Sequence, residues 1–153
     1  MSAVGLLATL GGAAPGAPDN IYGHDWSCTN DVDIAGVEVD GITCLAQALY
    51  RRLITPRGGL IDDPNYGFDI QQFLNDDFFQ NGTVTQGSLA MIASQVDSEM
   101  RKDERVLRSQ TTMALGAGGV ITLAIAITPL AGPNFKLVIA ASAVTVQLLQ
   151  VAV

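Results

Sequence analysis

At Met100 the spacing of the apolar residues changes. Before it, Leu89, Ile92, Ala93, Val96 and Met100 recur every three or four positions, and beyond Glu104 the pattern turns to alternation, continuing in apolar stretches to the end of the chain. The first spacing belongs to a helix with one buried stripe, the second to strands with one buried face. Helices first and strands afterwards predict an α+β fold in which two main helices pack on one face of a C-terminal antiparallel sheet of three or four strands.

The helical half begins with residues 42–54, where Leu45, Ala48, Leu49 and Leu53 form an apolar stripe and Gln47, Arg51 and Arg52 take the polar side. Thr55-Pro56-Arg57-Gly58-Gly59 ends this helix, because Pro56 lacks an amide donor. Asp62-Asp63-Pro64-Asn65-Tyr66-Gly67 reads as a second turn, with Tyr66 as its anchor on the core and Gly67 as its bend. A short helix is expected through Ile70, Phe73 and Leu74, then a longer one from residue 86 to 100 or 101 with Thr85 as N-cap. Strands are expected over 104–115, 120–128, 135–141 and 143–151, the last with a short helix as the alternative. Such an apolar terminal strand would either complete its own core or pair with another chain.

A chain of 153 residues has room for one compact domain, placed at 41–153, preceded by an arm over 1–40. Residues 1–20 are rich in Ala, Gly and Pro, which suggests a flexible segment. The whole arm carries six carboxylates and no Lys or Arg, within a formal net charge of -7. That front end repels phosphate backbones and anionic membrane surfaces, so neither nucleic acid nor a lipid surface is an expected partner. The cations gather instead at Arg51, Arg52 and Arg57, and at Arg101, Lys102, Arg105 and Arg108. Cys28 and Cys44 match no zinc-ligand spacing and make no disulfide framework, and Cys44 reads as a buried thiol. The absence of a basic leader and of eighteen unbroken apolar residues argues against a signal peptide and a membrane span, and a soluble product made in the cytoplasm is expected.

No catalytic constellation stands out. The single histidine, His24, lies in the acidic stretch, and there is no Gly-x-Ser-x-Gly elbow, Walker loop or dinucleotide fingerprint. Asp62, Asp63, Asp69, Asp76 and Asp77 could supply a carboxylate pair for glycoside hydrolysis, but their spacing is not diagnostic. Asp31-Val32-Asp33 lacks the remainder of a calcium loop. No cofactor, metal or catalytic residue is therefore assigned, and a non-enzymatic role is expected.

The run from Leu45 to Gly58, Leu-Ala-Gln-Ala-Leu-Tyr-Arg-Arg-Leu-Ile-Thr-Pro-Arg-Gly, continued by Pro64-Asn65-Tyr66-Gly67, resembles a known family. It is similar to the small baseplate wedge proteins of contractile phage tails, which have relatives in type VI secretion systems and extracellular injection particles. The resemblance extends from about Asp31 to the C-terminus. Family members carry a Glu-Pro-Arg signature between helix and sheet, and Asp103-Glu104-Arg105 looks like its counterpart, with Glu104 in place of the proline. Gly59 and Leu60 depart from the family, which often has a glutamate and an arginine there.

The resemblance implies a structural component that joins the wedge core and initiates sheath assembly in the tail baseplate of a virion. Asp103, Glu104 and Arg105 would meet other wedge proteins. Phe135, Leu137, Val138, Val144, Val146, Leu148 and Leu149 would meet the first ring of sheath subunits, with tube or hub proteins as further possible neighbours. Pro64, Tyr66 and Gly67 would be a structural turn. Some family members have carried a lysozyme-like label, so a peptidoglycan-degrading hydrolase is one alternative reading, and an unrelated soluble adaptor is another.

Overall fold

The computed structural model describes residues 22–28, 31–75, 84–142 and 145–153. Two short strands, β1 (Asp25–Trp26) and β2 (Glu38–Val39), pair antiparallel and lead into helix α1 (Gly41–Ile54). A short α2 (Ile70–Asn75) and the longer α3 (Gln86–Met100) follow, then four strands: β3 (Val106–Leu115), β4 (Ile121–Pro129), β5 (Phe135–Ala141) and β6 (Val146–Ala152). The strands form an antiparallel sheet in the order β3-β4-β5-β6, so each pairs with its sequence neighbour. The fold is α+β, with helices packed against the C-terminal sheet, as the change in spacing at Met100 predicts.

Alternation sets the two sheet faces. Ile121, Leu123, Ile125 and Ile127 of β4, with Phe135, Leu137, Ile139 and Ala141 of β5, point inward and are buried. They meet Leu45, Leu49 and Leu53 of α1 and Leu89, Ile92, Val96 and Met100 of α3 in one core. Each Leu, Ile, Val, Phe or Met among them contributes about 1.5–3 kcal/mol when fully buried. Asp97 of α3 reinforces the seam by accepting hydrogen bonds from Ser109 (2.8 Å) and Thr111 (2.6 Å) of β3. Across the opposite face run short side chains such as Thr122, Ala124, Ala126 and Ala140, more open to solvent.

Several boundaries shift for identifiable reasons. β4 runs on through Pro129, which pairs opposite Val106 at the sheet margin. The last element is a strand, and it begins at Val146; Ala143 and Val144 lie outside the described residues, as do residues 1–20. Thr85 caps α3 as expected, accepting a 3.2 Å bond from the Ser88 amide while the Ser88 hydroxyl accepts from the Thr85 amide at 3.0 Å.

Gln47 differs from its expected place on a solvated helix side. It is buried, and its Oε1 accepts a 2.8 Å bond from the Cys28 amide. The cause is the preceding chain, which crosses the back of α1. Tyr22 sits in the core and donates its hydroxyl to the Ala131 carbonyl at 2.5 Å, while Asp25 pairs with Arg51. A periodicity argument sees one covered helix face, and this helix has two.

Candidate functional site

The junction between α3 and β3 holds the first group of expected contact residues. Met100 ends the helix, and Lys102, Asp103 and Val106 form turn-like backbone bonds back to Glu99, Met100 and Asp103. This tight exit brings Asp103 and Arg105 together. Arg105 Nε donates to Asp103 Oδ1 at 2.8 Å and Nη2 to Oδ2 at 2.7 Å, a two-point fork. Arg105 Nη1 reaches the Tyr22 carbonyl at 2.8 Å, so at least three of the five guanidinium donors serve this chain itself. Burial pushes the Asp103 carboxyl up, but the Arg105 side-chain and backbone bonds outweigh it and hold the group below its usual range. Glu104 projects into solvent between them. The structure therefore brings Asp103 and Arg105 into an internal clamp and leaves Glu104 as the exposed member of the triplet.

The turn residues lead to a group that sequence reasoning missed. Gly67 has φ of 101°, and a Cβ there would lie 2.3 Å from the Thr55 carbonyl oxygen. Its amide donates to Glu99 Oε1 at 3.2 Å. Tyr66 is half-buried with the Arg52 guanidinium 4.3 Å above its ring, so its anchor is a cation as well as the core edge. Pro64 is exposed at the tip.

Glu99 is the centre of this region, with a side chain 1% exposed. Its carboxylate meets Arg52 at 3.2 Å, Arg57 at 3.2 Å and Lys102 at 2.6 Å. Burial pushes its pKa up, and bonds from Lys102, Arg52 and the Gly67 amide reverse the effect and hold it below the ordinary value. Three cations thus surround one carboxylate. Beside them lies a cleft of about 460 Å³. Phe68 and Phe73, stacked at 4.7 Å, form its apolar wall, and Ser94, Gln95 and Ser98 of α3 form the facing polar wall. The helical spacing places Glu99 next to Met100 on the buried side of α3, where a lone carboxylate demands a counter-charge; that conflict is the signal in the sequence.

The second group of expected contact residues divides by sheet face. Phe135, Leu137 and Val146 belong to the core, which leaves them no free surface for a partner. Val138 and Leu148 are half-buried, Leu149 is 57% exposed, and Val144 lies outside the described residues. β6 is an edge strand, held at its start by the Tyr50 hydroxyl donating to the Val146 carbonyl at 2.9 Å. Val138 pairs with Gln150 and Ile139 with Leu148, so Leu149 is the extra residue of a bulge. From Val146 to Val153 the chain carries no charged side chain, whereas β3, at the other edge, carries Arg108.

The remaining candidates are scattered. Asp62 and Asp63 are exposed in the turn, Asp69 precedes α2 with φ of 57°, and Asp76 and Asp77 lie outside the described residues. Cys28 and Cys44 are free thiols, and burial pushes Cys44 up. Among the described residues there is no group of three or more metal-ligating side chains, and no helix long and apolar enough to cross a membrane. Searches against protein-family models, curated proteins and solved structures find no match to this chain.

Proposed function

We propose that this chain is a structural, non-enzymatic component of a contractile tail baseplate wedge, in which it joins the wedge core and offers the strand template from which sheath assembly begins. The observation that carries the reading is the β6 edge: seven residues, uncharged, with one side unpaired among the described residues and an outward Leu149. Exposed edges are ordinarily blunted by charge, proline or cover, because they recruit further strands. Among the described residues β6 shows one such device, the bulge at Leu149, which supports a use for the edge in pairing. The resemblance of residues 45–58 and 64–67 to baseplate wedge proteins supplies the identity of the partners: other wedge proteins, the first ring of sheath subunits, and tube or hub proteins nearby.

In this mechanism the internal core is complete before assembly, so the protein arrives folded and adds backbone bonds from β6. Side chains of β5 serve the core, and register with the incoming strand is set by Leu148, Leu149 and Gln150. Glu104 is the member of the junction triplet free to meet a wedge partner. The location that follows is the tail baseplate of a virion.

Cryo-electron microscopy of the particle recovered with the endogenous protein tests the reading. Density for this chain in the wedge, with β6 paired to a strand of the first sheath ring, is the expected result. A particle without the chain in its baseplate, or with β6 facing solvent, would overturn it.

A further inference from the structure

The cleft beside Glu99 has more positive charge than its own carboxylate needs. Among the described residues Arg57 and Lys102 line the cleft and Arg52 stands behind it, three cations on the one acid Glu99, in a protein whose net charge is -7. A single cation neutralises a buried carboxylate, and a second anion beside these three would lower the mutual repulsion that solvent only partly screens. Two of the three are available to such a partner: Arg57 is 58% exposed and Lys102 40%. Among the described residues, Lys102 donates to Glu99 and to the Asn65 carbonyl, and Arg57 to Glu99 and to the Gly67 carbonyl, two donors of three and two of five.

The walls define what accompanies the anion. Phe73, half-buried and stacked on Phe68, offers an apolar surface on one side. Gln72, Ser94, Gln95 and Ser98 offer exposed amide and hydroxyl groups, the last three along one stretch of α3. Cations at one end, an aromatic beside them and hydrogen-bonding side chains along the helix suit an extended polypeptide with a carboxylate next to an apolar side chain.

We propose that this cleft binds an acidic peptide segment of a partner protein, its carboxylate held by Arg57 and Lys102 and its neighbouring apolar side chain laid on Phe73. The net charge of -7 disfavours a polyphosphate such as nucleic acid as the occupant. The site is independent of strand pairing at β6, so it stands or falls on the isolated chain.

The test is an NMR titration of the isotope-labelled full chain with the peptide acetyl-Ala-Glu-Phe-Ala-amide, its Gln-for-Glu counterpart, and inorganic phosphate. The expected result is a saturable shift of the Phe73, Ser94, Gln95 and Ser98 amides with the Glu peptide, and binding weaker by about fivefold with the Gln peptide. Arg57→Gln should weaken the Glu peptide similarly. Gln95→Glu, an exposed change that leaves every Glu99 bond in place, should do so with an unchanged melting temperature. Equal binding of the two peptides, the same shifts with phosphate, or no shift in the cleft at millimolar peptide would each overturn the proposal.

Discussion

Glu99 illustrates how one residue couples folding to pH. Its pKa is lowered in the folded chain, so its ionised form favours folding. That contribution is fully present above the ordinary carboxylate value of about 4.3 and is lost as the pH falls through the lowered folded value. Glu99→Gln is expected to cost about 3 kcal/mol near neutral pH, because Arg52 is left half-buried without its counter-charge. Urea unfolding near neutral and acidic pH checks both parts: the variant should lose less stability on acidification than the parent. Asp103 shifts in the same direction, so some acid sensitivity remains in the variant. Arg105→Ala removes the fork on Asp103 and the bond to the Tyr22 carbonyl together. It should lower stability by about 1–3 kcal/mol, whatever it does to assembly. Glu104→Ala, exposed between them, should leave the urea midpoint unchanged and reduce incorporation into the wedge; normal incorporation would remove Glu104 from the interface.

At the scale of elements, the turn after α1 and the exit of α3 depend on one another. Gly67 turns the chain and donates to Glu99, and the same turn places Tyr66 under Arg52. Gly67→Ala adds a methyl group to a position 2.3 Å from the Thr55 carbonyl oxygen, in a backbone conformation that side chains avoid. A loss of about 2–3 kcal/mol is expected, measured by thermal or urea unfolding. The edge strand shows the opposite economy. Removing β6 would take Val146 from the core and leave Tyr50 without its carbonyl partner, so such a deletion tests folding and pairing at once. Leu149→Lys separates them: it charges the exposed bulge and leaves the core intact. The folded monomer should be unchanged by circular dichroism, and particles should fail to start their sheath; abundant sheathed particles would count against the edge as template.

For the whole molecule, the arrangement divides labour between two faces. The helices and the inward sheet residues share one buried core, while among the described residues the outer face and the β6 edge are less covered. Burying Ile125 and Leu137 fully in that core commits the central strands to this chain. The surfaces proposed above for association lie at the margins: the bulged edge, Glu104 at the junction and the cation-rich cleft. Such a division suits a protein that folds first and is then incorporated, and it makes assembly defects separable from folding defects.

The periods of the apolar residues determined most of the fold, because a half-buried helix and a half-buried strand each imprint their own repeat. Leu89 through Met100 and Phe135 through Ala141 were legible for that reason, as was the cap at Thr85. Two things required the tertiary structure. Gln47 is buried because a distant stretch of chain, from Tyr22 to Cys28, covers α1, and no local pattern records a cover that comes from elsewhere. The Glu99 cluster joins residues from Arg52 to Lys102, and in the sequence those cations are simply two separate charged patches. Charges attract across whatever distance folding closes, so the identity of a counter-ion is decided by packing and not by spacing along the chain.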